Sequence, residues 1–387
     1  MRVGRALFWI PASLLGWVYA GYPLTAAAAA RLRPFELHRT HPSPRVVTVG
    51  IAVYNEAAEL RERVANIVAQ EVPFQIELII ASDGSTDETD SIAADLAWTD
   101  PRVRIVSLPR GGTTAAQNAI FSAARGEVIV LTDAETRFAP GCLSALVEPF
   151  VDDRIGCVTG RLSWAEIETG TSQQEGLYWR YEQAVRSVES RAGWLTAVTG
   201  AMLAVRRESY RHVPDHTSLD HLLPLYVREQ GRIVLAVPEA LATDRVIASL
   251  REQFRNRART ATRGIQANLS MAGALAPWRR PSAAMAIWSH KLLRWATPWL
   301  AGVGAVGAAR AVAEGDEAYV IPLAGGIVLI LLAGVGYAMT ETQRQAPRWA
   351  AFPLAVVVVN AAFVRAWLTL LRGRRLRVWH RTEWQAD

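Results

Sequence analysis

Two carboxylates, Asp133 and Glu135, follow the apolar run Val128-Ile129-Val130-Leu131. An uninterrupted apolar run of that length predicts a strand buried on both faces. In an open α/β sheet, ligands bind beyond the carboxyl ends of such strands. A single residue, Ala134, separates the two acids, so both side chains can reach a common point. Paired hard oxygen donors suit Mg²⁺ or Mn²⁺ carrying a phosphate.

The same arrangement occurs twice upstream. A strand candidate over 46–53 is closed by Tyr54-Asn55-Glu56, and a second over 75–81 by Ser82-Asp83-Gly84-Ser85-Thr86-Asp87. Leu60, Val64, Ile67 and Val68 give helical spacing over 57–70. Thr86 or Asp87 can cap a helix running through Leu96, a third strand covers 102–108, and a third helix 113–124. This alternation predicts a mostly parallel sheet with helices on both faces. Neither G-x-G-x-x-G after the first strand nor G-x-x-x-x-G-K-[ST] is present, which excludes the two standard phosphate loops. Each polar cluster alone reads as a helix cap or turn, and Asp87 fits that reading. Three of them on one sheet edge predict a single cleft.

Apolar residues make up 51% of the 387, and they are unevenly spread. Residues 6–30 carry no charge and are long enough to cross a bilayer, beyond the usual length of a cleaved signal core. Three further apolar stretches cover about 296–313, 318–338 and 351–371. Before them, 281–295 mixes His290, Lys291 and Arg294 with Trp288, Leu292, Leu293 and Trp295, as in a helix lying in the membrane interface or the start of the next span. The expected organisation is an N-terminal transmembrane helix over 1–30, a catalytic domain over 45–270, an interfacial helix over 281–295, C-terminal transmembrane helices over 296–372 and a basic tail over 373–387.

The net charge is +6, and its arginines flank the apolar segments: Arg31, Arg33, Arg39 and Arg45, then Arg279 and Arg280, then Arg372, Arg374, Arg375 and Arg377. That placement argues for membrane lipids as partners, not nucleic acid. It puts 31–280 in the cytoplasm, as a multi-pass protein of the inner membrane. Four spans then leave the basic tail outside. Either the last segment, interrupted by Asn360 and Arg365, stops short of crossing, or the charge rule fails there. Cys142 and Cys157, the two cysteines, match no metal spacing and read as packing residues.

The quoted motifs resemble family 2 glycosyltransferases of GT-A fold, a Rossmann-like α/β architecture. The resemblance rests on V-G-I-A-V-Y-N-E (49–56), A-S-D-G-S-T-D-E-T (81–89) and T-D-A-E-T-R-F (132–138). Weaker matches are R-G-G-T-T-A-A-Q-N (110–118), T-G-A-M-L-A-V-R-R (199–207), L-D-H-L-L-P (219–224) and Q-F-R-N-R-A-R (253–259). With membrane segments at both ends, the chain resembles the membrane-integrated synthases of bacterial polysaccharides. The resemblance implies that Asp83 contacts base and ribose, with Tyr54, Asn55 and Glu56 around them. It implies Asp133 and Glu135 as the metal pair, Asp220 as general base, and Gln253 and Arg257 near the donor diphosphate. One base and one metal site permit direct displacement with inversion, because a carboxylate that removes the acceptor proton activates a weak hydroxyl nucleophile.

The chain departs from the family at several positions. Glu135 replaces the more usual Asp or Asn, Thr113 stands where many relatives have Lys, and Leu219 replaces an acid before the base. No Q-x-x-R-W is present, which argues against long-chain processivity. Trp164, Tyr178 and Trp179 read as packing or as sugar-stacking aromatics, His221 as structural or as a helper of Asp220, and Glu175 with Glu182 as a solvated helix face beside Arg180 and Arg186. The expected activity is transfer of a sugar from a nucleotide sugar, UDP-linked, to a growing glycan of an exopolysaccharide or the cell envelope. The alternatives are transfer of one sugar to a polyprenyl phosphate, or a catalytically weak nucleotide-binding subunit of a synthase complex. The paired acids predict that EDTA stops activity and that Mg²⁺ or Mn²⁺ restores it. Full activity in chelator removes the metal role.

Overall fold

The computed structural model describes residues 3–164, 170–244, 249–342 and 344–373, with side chains of 164–179 outside the description. Trp164, Glu175, Tyr178, Trp179 and the tail from 374 therefore lie outside the described side chains.

One eight-stranded sheet organises the domain. Its strands are β1 Val46–Val53, β2 Gln75–Asp83, β3 Val103–Leu108, β4 Val128–Thr132, β5 Arg137–Phe138, β6 Ile155–Trp164, β7 Leu203–Arg206 and β8 Ile233–Asp244. They lie in the order β3-β2-β1-β4-β7-β6-β8-β5. The first four are parallel, as the alternation predicts. β7 runs antiparallel to both β4 and β6, so the second half of the sheet is mixed.

Alternation along each central strand feeds two cores. Leu78 and Ile80 face one layer with Val47, Val49, Ile51, Val128 and Val130, covered by Leu60, Val64 and Ile67 of the helix Ala57–Val68. Ile79 and Ala81 face the other with Ile129 and Leu131, covered by Ile120 and Phe121 of the helix Thr113–Ala123 and by Ile265 of the helix Leu250–Ser270. Burial on both faces explains the unbroken apolar runs in the sequence. It also fixes all the parallel strands' carboxyl ends on one edge.

Among the described residues three helical stretches are long and apolar enough to cross a membrane: Val3–Leu32, Glu317–Glu341 and Arg348–Leu371. The helix Thr297–Ala313 has 17 residues and packs on Val3–Gly16. The contact is made by glycines. A Cβ at Gly4 would lie 2.6 Å from the Ala311 backbone nitrogen, and one at Gly307 would lie 2.8 Å from Leu7 Cβ. Small residues at such positions let helix backbones approach closely. The last helix has a mixed environment. Val359, Phe363 and Ala366 share a buried cluster with Ile265 and Trp295, and Trp367 Nε1 donates to the Trp295 carbonyl at 3.0 Å. Its second half is therefore packed on the catalytic domain's side.

Residues 281–295 are helical, with a π-helical stretch over Ile287–Leu292. His290 and Arg294 are buried among protein groups. Trp288 is exposed within this segment, and Trp278 just before it.

Gly307→Leu is expected to force the two helices apart and cost about 1–3 kcal/mol, the usual range for overpacking. Thermal unfolding in nanodiscs measures it. Gly325→Leu is the control, because nothing lies within 4 Å of a Cβ at Gly325.

Candidate active site

The turn after β1 is bound to the turn after β2. Asn55 takes a left-handed φ of 55°, a conformation that asparagine tolerates better than most residues. Its Oδ1 accepts from the Thr86 amide at 2.8 Å, and its own amide donates to Ser85 Oγ at 3.2 Å. Asp87 accepts from the Thr89 amide and hydroxyl, in an Asx turn before the helix Thr89–Thr99, and from the Ala57 amide that opens the helix Ala57–Val68. These bonds hold Tyr54 and Glu56 at the cleft.

Asp83 closes β2 and is buried. Its Oδ1 accepts from the amides of Gly111 at 2.7 Å and Gly112 at 3.0 Å, and its Oδ2 pairs with the Arg110 guanidinium. The same guanidinium lies 3.4 Å from the Tyr54 ring centroid. Tyr54, Asp83 and Arg110 thus form one flat-faced, charged corner, suited to a nucleobase. The 110–112 turn leads into the helix that carries Thr113 and Gln117 along the cavity wall.

β4 delivers Asp133 and Glu135 to a cavity of about 800 Å³, which Tyr54, Glu56, Asp83, Asp220, His221 and Asp244 also line. Burial, then the carboxylates of Glu135, Asp244 and Asp220, push the Asp133 carboxyl up to about 7. Behind it lies Arg63, fully buried, which donates to Thr132 Oγ1 at 2.6 Å and sits 4.1 Å from the Phe138 ring centroid. Burial pushes the Arg63 guanidinium down to about 9, which still leaves it charged at neutral pH. The crowded carboxylates fit a divalent cation, whose charge would remove their mutual repulsion. Among the described residues no group of three His, Cys, Asp or Glu side chains could hold an ion alone. Asp133 and Glu135 would bind it with oxygens of a diphosphate and water.

Asp220 stands in the first turn of the helix Leu219–Glu229. Thr114 Oγ1 donates to the Thr217 carbonyl at 2.7 Å, which fastens this turn to the donor side. Burial alone would raise the Asp220 carboxyl. His221, whose Nδ1 lies 3.1 Å away, together with Ser218 and Arg263, outweighs burial and holds it well below the usual carboxylate range.

The helix Leu250–Ser270 forms the opposite wall. Ser249 caps it by accepting from the Glu252 amide. Arg251, Arg255, Arg259 and Arg263 all line the cavity. At four-residue spacing they share one helix face over about 18 Å. Asp220, Asp133 and Glu135 all act electrostatically on Arg259, and Asp220 on Arg263.

Of the residues singled out in the sequence, Tyr54, Glu56, Asp83, Asp133, Glu135 and Asp220 share this cavity. Asn55, Gln253 and Arg257 do not line it; Gln253 is buried. Sequence reasoning gave no role to Arg63, Arg110 or Asp244, and missed the four-residue arginine repeat, a visible signal. Glu182, read as part of a solvated face, is 4% exposed and ion-paired, so that reading is corrected.

Residues 48–213 match the family model described as Glycosyl transferase family 2. The chondroitin synthase of Pasteurella multocida (strain Pm70) is 34% identical over 129 residues, 33% of this chain and 13% of that protein. An N-acetylglucosaminyltransferase of Mesorhizobium japonicum is 25% identical over 232 residues, 56% of this chain and 55% of that one. The hyaluronan synthase of Streptococcus pyogenes serotype M3 is 26% identical over 226 residues, 56% and 50%. The chain thus spans between an eighth and about half the length of these relatives. The mannosyltransferase PcManGT of Pyrobaculum calidifontis, solved with GDP-Man and Mn²⁺, superposes with a TM-score of 0.69 at 24% identity, over 95% of this chain and 99% of that one. The fold is therefore GT-A, and residues 48–213 are similar to family 2 glycosyltransferases.

Proposed function

We propose that this chain is a membrane-seated, inverting glycosyltransferase that moves a sugar from a UDP-linked donor to an acceptor at Asp220, in exopolysaccharide or cell-envelope assembly. One observation carries the reading. Nucleobase-type, carboxylate and arginine walls face one another across a single cavity, with Asp220 on the same cavity. Tyr54, Asp83 and Arg110 receive the base. Asp133 and Glu135 hold Mg²⁺ or Mn²⁺, which when bound supplies positive charge to the departing diphosphate. Arg255 and Arg259 face the same leaving group, where preorganised charge acts most strongly on developing anion. Asp220 orients the acceptor and takes its proton, so attack comes from the face opposite the diphosphate. The relatives that polymerise sugars support the polysaccharide setting. The apolar helices support membrane attachment, and the arginines flanking them are the ground for reading the catalytic domain as cytoplasmic.

A second acceptor class is favoured by the charge around Asp220. A carboxylate held so low is a weak base, and Arg259 and Arg263 flank it. A polyprenyl phosphate needs no proton removed and would bring its own charge to those arginines. Incubation with radiolabelled UDP- and GDP-sugars, with decaprenyl phosphate or cellotetraose as acceptor, separates the two. Label in organic solvent assigns the lipid phosphate, and water-soluble oligomer assigns the glycan.

Asp220→Asn is expected to lower transfer at least a hundredfold, the low end of general-base contributions. UDP binding, read by calorimetry, should change less than twofold. Wild-type product formation by Asp220→Asn membranes would remove the base assignment.

A further inference from the structure

A second ionic cluster lies outside the cleft, at the junction of three segments. Glu182, on the helix Gly170–Arg191, accepts from Arg294 at 2.5 Å, from Lys291 and His290 at 3.1 Å, and from Arg186 at 3.0 Å. One turn pair further along, Glu189 meets the other ring nitrogen of His290 at 2.8 Å and accepts from Tyr22 at 2.6 Å. His290, Lys291 and Arg294 belong to the segment that leads into the helix Thr297–Ala313, and Tyr22 to the N-terminal apolar helix. Both partner segments turn through a π-helical stretch here, Trp17–Gly21 and Ile287–Leu292, joined by Trp17 Nε1 donating to Ser289 Oγ at 2.9 Å. Such stretches recur at functional positions in helices.

Arg186 is the member that leaves this cluster toward the active site. Its Nε serves Glu182, and its Nη1 donates to Thr199 Oγ1 at 2.9 Å. Thr199 opens a tight turn, in which the Met202 amide donates to the Thr199 carbonyl at 3.0 Å. Thr159 Oγ1 accepts from the Thr199 amide at 3.1 Å and donates to the Met202 carbonyl at 2.9 Å. Within that turn Gly200 lines the cavity directly against the acceptor-side carboxylate. A Cβ at Gly200 would stand 3.4 Å from Asp220 Oδ2. The wall facing Asp220 is therefore tied, through one guanidinium, to a buried junction whose other members sit on the segments entering the apolar helices.

We propose that Arg186 is a positioning residue for the acceptor: it fixes the Thr199–Met202 turn against Asp220 and so registers the acceptor half of the site to the membrane-flanking segments. This rests on the glycosyltransferase reading above for its kinetic consequence, but the tie itself does not. The donor half hangs from β1, β2 and β4 and is independent of Arg186. The geometry of a guanidinium fork, one branch to carboxylate and one to hydroxyl, is what a shorter or uncharged side chain would lose.

The test uses the full chain in nanodiscs, with Arg186→Ala, Arg186→Lys and Thr199→Val. The last removes only the accepting oxygen and leaves every partner of Glu182 in place, so it reads the tie even if Arg186→Ala folds poorly. Hydrogen exchange is expected to quicken at least fivefold at the amides of 199–202 in Arg186→Ala and Thr199→Val, with 46–53 unchanged. KM for whichever of decaprenyl phosphate or cellotetraose is glycosylated should rise about tenfold, UDP affinity should stay within twofold, and Arg186→Lys should recover part of the loss. Unchanged exchange at 199–202, or UDP binding that falls as far as acceptor use, overturns the proposal. If the wild-type protein glycosylates neither acceptor, the functional reading fails while the exchange measurement still decides whether Arg186 holds the turn.

Discussion

Opposite charge held at short range across one cleft is the constraint on which the rest of this structure turns. The sheet edge delivers Asp133, Glu135 and Asp244 to one cavity, and Asp220 enters from the side. Burial and mutual repulsion act against the ionised forms of these acids, as the raised Asp133 shows. Arg63 offsets part of that from behind, and Arg259 and Arg263 from across the cleft. The acids act on Arg259 and Arg263 in the direction opposite to burial. The helix Leu250–Ser270 docks with its arginine face toward them.

The topology supplies the acids almost automatically. Four parallel strands end on one edge, so whatever follows each strand is brought to the same cleft. That is why this side of the cavity was legible: Tyr54, Glu56, Asp83, Asp133 and Glu135 each follow an apolar run that reads as a strand. The predicted elements 46–53, 57–70, 75–81, 102–108 and 113–124 match the observed ones to within two residues at every end. The mixed half, β5 to β8, was not read, because its strands are short or carry polar breaks.

The motif over 253–259 holds Gln253, Arg255, Arg257 and Arg259, and the choice within it fell on Gln253 and Arg257; Arg255 and Arg259 are the two that line the cavity, because helix phase is set by what is buried. Ala258, Ala261, Thr262 and Ile265 bury one side, which leaves Arg251, Arg255, Arg259 and Arg263 toward the cavity. Gln253 is buried and out of the cavity for the same reason. The Glu182 cluster was illegible in a stricter sense. Its partners lie more than a hundred residues away, and a local reading of the helix can see only the Arg186 at i+4.

The last apolar helix bears on how the two parts of the chain are joined. Charge placement leaves a conflict if every apolar segment crosses, since the arginines after Leu371 then face the wrong side. Arg348–Leu371 is not uniformly exposed as a lipid-facing span would be. Its second half shares a core with Ile265 and Trp295, and Arg365 lies 5.9 Å from the Phe254 ring centroid, on the helix that carries the arginine wall. One face of that half packs on the protein, while Ala361, Arg365, Leu368 and Leu371 stay exposed on the other. The two interruptions in its apolar pattern, Asn360 and Arg365, fall within the stretch that turns toward the domain. The conflict is eased if this helix rises along the domain before it meets the bilayer. The same packing presses Leu250–Ser270 from outside, so the cleft's arginine wall is seated between the sheet and a helix of membrane composition.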